Sequence, residues 1–463
     1  MKLTISKEAN INYLAKIVSI KKGDFSSHPN ANKLKLVNVQ GNIISTSIDA
    51  QPGTYVYFPT ESVIAPEFLK FNNLYRNINA NSNPEQRGFF EESGRVKCIK
   101  LRGLASEGFI IPIQSLIDFY QNTYSKSVDS EVFQKLVGTQ FDMVDNFKLV
   151  WKYIIKTNSS KSNADSKLKS KSIISEKLVD DQFRYHIDTP KLVDNLTEVN
   201  PDDIIQISWK EHGTSAIFCN LLTKRKLSWI ERFLVAIGVN IKTEEYTKFC
   251  SSRKVIKDPI INPNLSEGYY DSDIWTLALE TIKDYLDEGM SVYAEIVGYL
   301  PTGSMIQKDY DYGCVYDPKL YDYKTMSAKE MLEAKLFKIV VYRITSTNVS
   351  GKVFEWSTQQ IKNWCNKRQI GTVTELYYGP AKKLFPRLTI KTHWHENFLK
   401  HLREQYLEND SVLCLNKVPE EGIVLRREVN NISVFKLKAN AFLQKETASL
   451  DKGIVDIESA QEI

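Results

Sequence analysis

The chain has 463 residues, 42% hydrophobic and 25% charged, a globular composition too long for one ordinary core and suited to two or three at about 150 residues each. Its 61 basic and 56 acidic residues leave a formal charge of only +5, so net charge implies no nucleic-acid partner and any basic surface must be local. No apolar run approaches the ~18 residues that span a bilayer, the opening MKLTISKEANINYL lacks the apolar core of a secretory signal, and six dispersed cysteines without a CxxC pair argue against a disulfide framework or structural zinc; a cytoplasmic chain, or one in a host cytoplasm for a viral source, is expected to have no membrane partner.

Residues 1–115 alternate short apolar runs with turn residues: INYLAKIVSI, KLKLVNVQG, NIISTSI, QPGTYVYFP, GRVKCIKLRG and SEGFIIP. That spacing predicts a small β-barrel, interrupted by the Asn-rich loop NNLYRNINANSNPEQRGFF. Residues 116–180 read as a helical connection followed by a Ser/Lys-rich linker. Within it, 158–175 holds seven serines and four lysines and has too little apolar content to bury; it is either simply solvated, the favoured reading, or brushes a phosphate backbone. Residues 181–463 mix strands (DIIQISWK, SAIFCNLL, SVYAEIVGY, FKIVVYRI, EGIVLRR, ISVFKLKA) with helices, an α+β domain. In ENFLKHLREQYLE, Phe398, Leu402 and Tyr406 fall at helical spacing and define a core-facing stripe.

The chemistry-bearing residues begin where strand DIIQISWK ends, at Lys210, Glu211, His212, Gly213, Thr214 and Ser215. Gly213 permits a tight turn and close backbone approach, while Thr214 offers a hydroxyl to a phosphate or nucleoside. Alone, a lysine beside a glycine turn is usually a solvated surface residue. Downstream, Glu295 shares a strand face with Tyr293 and Val297 among apolar neighbours; it is either half of a buried salt bridge or the acceptor of a ribose hydroxyl. PEEGIVLRREVNNISVFKLKA predicts a β-hairpin turning near Asn430 and Asn431, with Lys436 and Lys438 on one strand face, either an exposed edge or part of a site with Glu421. No GxxxxGK[ST], HExxH or GxSxG sequence is present. His393 and His395 have no cysteine nearby in sequence and read as structural.

The order K-x-H-G, Y-x-E-I-V-G, V-Y-R-I, E-G-I-V and K-L-K across about 230 residues resembles the motif series of covalent nucleotidyltransferases: DNA ligases, RNA ligases and messenger-RNA capping enzymes. The HGTS form, with His212 in place of aspartate, resembles RNA ligases. FRYHIDTPKL (183–192), SSRKVIKD (251–258), IQKDYDYG (306–313) and ANAFLQKETASLDKGIVDIE (439–458) are similar to Deinococcus-type RNA ligases, which carry an OB-fold before an ATP-grasp-like adenylyltransferase domain. HPNANKLKLVNV (28–39) is similar to the HPNADKL signature of OB-fold tRNA-binding domains, with Asn32 in place of the aspartate; a plain turn between barrel strands explains it equally well.

The resemblance implies an ATP-dependent RNA ligase in which Lys210 becomes adenylylated, AMP passes to a 5′-phosphate end, and a 3′-hydroxyl displaces AMP. Its substrate would be nicked or broken RNA, or a mixed RNA/DNA duplex, its metal Mg²⁺ or Mn²⁺, and its state a monomer. By motif, Glu295 holds the ribose, Tyr342 stacks on adenine, Arg253 and Lys254 contact phosphate, His212, Gly213 and Thr214 border the nucleotide, Glu421 faces metal or lysine, and Lys438 contacts the α-phosphate with Lys436 close to it. A free lysine titrates near ~10.4, so presenting it neutral at pH 7 costs about 4.6 kcal/mol; Lys436, Lys438 and the metal are the expected cations that lower this cost. Removal of the N-terminal module is expected to spare ATP labelling and weaken sealing. The rivals are a DNA-joining ligase, a capping-type nucleotidyltransferase, or a nucleic-acid-binding protein on a dead transferase scaffold.

Overall fold

The structure is a computed structural model and describes residues 1–127, 135–154, 173–257, 273–389 and 393–454. The Ser/Lys-rich stretch lies outside the described residues from 158 to 172, and the helix Ile173–Lys177 follows it.

In the N-terminal region, strand Gly53–Phe58 pairs antiparallel with both Ala15–Ile20 and Phe109–Pro112. Leu34–Val39 forms a hairpin with Asn42–Ser47 and also pairs with Phe25–Ser27. Among the described residues these ladders remain separate small sheets. The predicted strands are present and the α+β class holds, but the ladders do not trace a closed barrel. Alternation specifies which face of a strand is buried, not which edge it joins, so closure was never encoded in the pattern.

Packing continues past residue 115. The helix Ile113–Tyr124 buries Leu116, Ile117, Phe119 and Tyr120. Gln140–Phe141 joins Ala15–Ile20, and Val150–Lys152 pairs with Ser62–Ile64. Phe119, Phe141 and Val150 therefore share one core with Ala15, Phe58 and Phe68. The segment expected to be connective is part of this unit because its apolar residues need the same burial as the strands. His28 and Asn30 support the plain-turn reading of HPNAN. His28 Nδ1 accepts from the Asn30 N–H at 3.2 Å, and Asn30 Nδ2 donates to the Arg102 carbonyl at 2.9 Å.

The remainder is built on two sheets. The larger runs in the order Ile256–Lys257, Glu244–Ser252, Thr214–Lys224, Met290–Gly298, Phe337–Thr347 and Val353–Glu355, with Gly371–Thr372 parallel to Phe337–Thr347. The smaller runs Glu375–Pro380, Ile204–Trp209, Gly422–Arg427 and Ser433–Lys438. Helices Ile274–Ile282 and Thr358–Arg368 cover the larger sheet through Trp275, Leu279, Ile361 and Trp364. Helix Trp394–Tyr406 covers the smaller one, burying Phe398, Leu402 and Tyr406 as its stripe requires. No helix among the described residues is long and apolar enough to cross a membrane.

The N-terminal unit is tied to the rest by ion pairs made by two of its buried side chains, Glu107 and Arg95. Arg403 reaches Glu107 with two guanidinium nitrogens at 3.2 and 3.1 Å. Arg95 bridges Glu61 and Asp451 at 2.5 and 3.0 Å. Such pairs are costly to separate singly, which ties the two units in register.

Candidate active site

The smaller sheet fixes Lys210. Strand Ile204–Trp209 pairs with Gly422–Arg427, and the Lys210 N–H donates to the Gly422 carbonyl at 2.9 Å. Gly422 faces Lys438 across the hairpin, and Val424 faces Lys436. Backbone pairing thus collects Lys210, Glu421, Lys436 and Lys438 from three neighbouring strand ends.

The turn after Lys210 crosses to the larger sheet, where Ser215 pairs with Glu295 and Glu295 with Val340. Glu295 Oε1 accepts the Gly213 N–H at 3.0 Å. A Cβ on Gly213 would lie 2.4 Å from the Ile296 carbonyl oxygen and 2.9 Å from Glu295 Cγ, so only glycine lets the turn approach this closely. A register shift between Tyr293 and Ala294 leaves Tyr342 as an extra residue on its strand, a bulge that redirects its side chain. The Tyr342 hydroxyl lies 3.2 Å from Ser215 Oγ and 3.3 Å from His186 Nδ1.

Between the two sheets lies a cavity of about 430 Å³. Of the residues singled out in the sequence, Lys210, Arg253, Glu295, Tyr342 and Lys436 line it. His212, Gly213, Thr214, Lys254, Glu421 and Lys438 are not in its lining. Thr214 is buried at the head of its strand, and Lys254 is exposed in the turn before Ile256–Lys257. His212 sits edge-on to Tyr310 and Phe442, with ring centroids 4.8 and 5.0 Å away, and its N–H donates to the Tyr312 hydroxyl at 2.6 Å. It supports the turn from an aromatic wall instead of facing the cavity. His393 pairs with Glu396, and His395 meets the Val199 carbonyl.

Each lysine has a carboxylate. Lys210 Nζ is 2.8 Å from Glu421 Oε1, Lys436 Nζ is 3.1 Å from Asp188 Oδ1, and Lys438 Nζ is 3.2 Å from Glu446 Oε1. Glu421 Oε2 is buried without a hydrogen-bond partner, 3.7 Å from His212 Nδ1. Among the described residues no group of three or more His, Cys, Asp or Glu is placed to hold a metal ion. The orphaned oxygen makes Glu421 the residue that fits a cation or its bound water.

Asp188 was not foreseen from the sequence as a site residue. Its Oδ1 accepts from Arg253 Nη2 at 2.6 Å as well as from Lys436, and its Oδ2 accepts from Asn10 Nδ2 at 2.7 Å. Burial would raise this carboxyl, but Lys436 and Arg253 overcome it and hold it well below the usual carboxylate range. Asn12 clasps the same segment, with Nδ2 donating to the Thr189 carbonyl at 3.2 Å and Oδ1 accepting the Lys191 N–H at 3.1 Å. Glu211, also on the cavity, is pushed up to about 7 by burial. Glu446 is held below its ordinary value: burial opposes its charge, but Lys438 prevails.

No protein-family model matches the chain, and no curated protein sequence does. Solved structures of a Naegleria gruberi RNA ligase do. An apo variant has a TM-score of 0.53 at 15% identity, covering 95% of this chain and 99% of that one. A variant with ATP and Mn has 0.51 at 14% identity over 95% and 99%, and a second variant with ATP and Mn has 0.51 at 16% identity over 93% and 98%. At these identities the likeness is one of fold, and it establishes that an RNA ligase shares this chain's α+β architecture over nearly its whole length, N-terminal unit included.

Proposed function

We propose that this chain is an ATP-dependent RNA ligase of the Deinococcus type, with Mg²⁺ or Mn²⁺ as its metal and Lys210 as the residue that carries AMP. The observation that carries this reading is the convergence of Lys210, Arg253, Glu295, Tyr342 and Lys436, contributed by five separate strands and their turns, on one cavity. The fold likeness to an RNA ligase studied with ATP and Mn supports the same nucleotide and metal.

In the first step, Lys210 Nζ forms a bond to the α-phosphorus of ATP as the bond to pyrophosphate breaks. AMP then passes to the 5′-phosphate of a broken strand, restoring Lys210, and the 3′-hydroxyl oxygen attacks that phosphorus while AMP leaves. Arg253 and Lys436 receive phosphate charge, Glu295 orients the ribose, and Tyr342 offers a ring to the adenine. Glu421 holds Lys210 Nζ before substrate arrives, and its second oxygen would hold the metal. Magnesium or manganese, when bound, supplies positive charge at the phosphates. The substrate is nicked or broken RNA, including mixed RNA/DNA duplexes, the N-terminal unit serves as the nucleic-acid-binding module, and the protein acts as a monomer.

The test is incubation with α-labelled ATP and a divalent metal. A label on the protein that survives denaturation, is released by acid, and is lost in Lys210→Ala is the expected result. An unlabelled wild-type protein overturns the reading. Nicks with a ribose or a deoxyribose 3′ end then separate RNA joining from DNA joining.

A further inference from the structure

Between strands Thr214–Lys224 and Glu244–Ser252 the chain inserts residues 225–243, which include the helix Trp229–Ala236. The sequence explains why a helix forms: Ser228 accepts the Glu231 N–H at 3.3 Å while Glu231 Oε2 accepts the Ser228 N–H at 2.8 Å, a capping box, and no β-branched run opposes it. The helix buries none of its residues. Trp229 is 78% exposed, Ile230 51%, Phe233 60% and Ile237 60%. At 100° per residue these four fall within a stripe about 100° wide. Such a stripe ordinarily seats a helix on its core, yet no apolar core of the described residues includes it. The neighbouring Val239 is 45% exposed and extends the patch.

The charge around the patch is net basic. Residues 224–245 hold five basic side chains, Lys224, Arg225, Lys226, Arg232 and Lys242, against three acids, Glu231, Glu244 and Glu245, with Glu244 facing Lys224 across the ladder. Arg225 is held by Glu231 at 2.6 Å, while Lys224, Lys226, Arg232 and Lys242 are exposed. Exposed tryptophan, phenylalanine and isoleucine on a segment with a net excess of exposed cations form a surface that buries its apolar face in a lipid layer and sets its cations among headgroup phosphates.

We propose that the helix Trp229–Ala236 docks this protein on an anionic lipid surface. RNA would use the cations and the two aromatic rings, but it leaves Ile230, Ile237 and Val239 in water, since branched aliphatic side chains offer no face for a base to stack on. A lipid interface takes all of them. The site also lies apart from the cavity: strand Thr214–Lys224 starts beside Glu295 and runs eleven residues to the insertion, roughly 30 Å at 3.3 Å per residue, so docking leaves the cavity open. The expectation of no membrane partner came from the missing 18-residue apolar run, which speaks to spanning a bilayer and not to lying upon it. This inference is independent of the ligase reading.

The test is flotation of the full-length protein with vesicles of pure phosphatidylcholine or of an equal mixture of phosphatidylcholine and phosphatidylserine. Flotation with the mixture alone, released by high salt, is expected. Trp229→Ser combined with Phe233→Ser should lower partitioning at least tenfold, and Lys224→Ala and Lys226→Ala by roughly fivefold per cation, with the melting temperature and ATP labelling unchanged. Absence of flotation, or equal flotation of the double serine variant, overturns the proposal. So does a concentration-dependent dimer that the same variant abolishes, or weakened RNA binding by a protein that ignores both vesicles, each of which assigns the patch to another occupant.

Discussion

Asn10 belongs to the N-terminal unit, yet its amide donates at 2.7 Å to the carboxylate that holds two cations of the cavity. Replacing it with alanine frees Asp188 Oδ2, and the carboxylate can then turn about its last bond while Arg253 and Lys436 keep Oδ1. A hydrogen bond to a charged group contributes about 1.5–3 kcal/mol. The two remaining partners place Asn10→Ala at the lower end, which corresponds to about a tenfold rise in the ATP concentration for half-maximal labelling. Asn10→Asp should do worse, because it sets a second carboxylate against the first; if Asn10 merely filled space, alanine would be the more harmful change. The assay is single-turnover adenylylation against ATP concentration, with thermal unfolding as a control. An unchanged ATP dependence in both variants refutes the reasoning. The same contacts reverse the expectation that the N-terminal unit is dispensable for ATP labelling: truncation to residues 180–463 removes Asn10 and Asn12 together and should weaken labelling as well as sealing.

Glu421→Gln keeps the shape but removes the anion 2.8 Å from Lys210, and should raise the metal concentration for half-maximal labelling by roughly 10- to 100-fold. Gly213→Ala drives a methyl to 2.4 Å from the Ile296 carbonyl oxygen and should cost about 1–3 kcal/mol of stability, read by urea unfolding, along with ATP labelling. Glu211, raised by burial from its ordinary 4.5 to about 7, binds its proton more tightly when folded. Its contribution is therefore fully present below pH 4.5 and is lost as pH rises through about 7, up to about 3 kcal/mol; Glu211→Gln should flatten the urea midpoint across that window.

Much of the site was legible because its residues sit in strands whose pairing follows from pattern. Lys210, Glu295, Tyr342 and Lys436 each occupy or adjoin an apolar run, and the hairpin Gly422–Arg427 to Ser433–Lys438 forms around the Asn430–Asn431 turn that its sequence predicts. Asp188 was not legible. It lies in a coil segment with no period, and its role depends on Arg253, Lys436 and Asn10, which are 65, 248 and 178 residues away in sequence. The helix Trp229–Ala236 escaped for the opposite reason: its stripe has the same periodicity as Phe398, Leu402 and Tyr406, and only the structure shows one stripe buried and the other in water. His212 matched a motif by identity, but its ring faces Tyr310 and Phe442, so its distinctive chemistry serves the turn.

The electrostatics also alter how the nucleophile is activated on the proposed reading. Lys436 and Lys438 were expected to crowd Lys210 with positive charge and make its neutral form cheaper. Instead Asp188 and Glu446 compensate those two lysines, and Glu421 at 2.8 Å favours the charged form of Lys210 itself. The resting site therefore sets a carboxylate beside each of these three lysines. Arg253 and Lys436, positioned by Asp188, would receive incoming phosphate oxygens, and Glu421, whose second oxygen has no hydrogen-bond partner to give up, would hold a metal that supplies positive charge there. Asp188→Asn separates this scheme from one in which the lysines activate each other directly: Arg253 and Lys436 lose the carboxylate that positions them, so the ATP concentration for half-maximal labelling should rise as it does in Asn10→Ala, while Lys210 stays paired to Glu421 and labelling at saturating ATP stays near wild type. A large rise in that saturated rate would show that Asp188, and not Glu421, restrains the nucleophile.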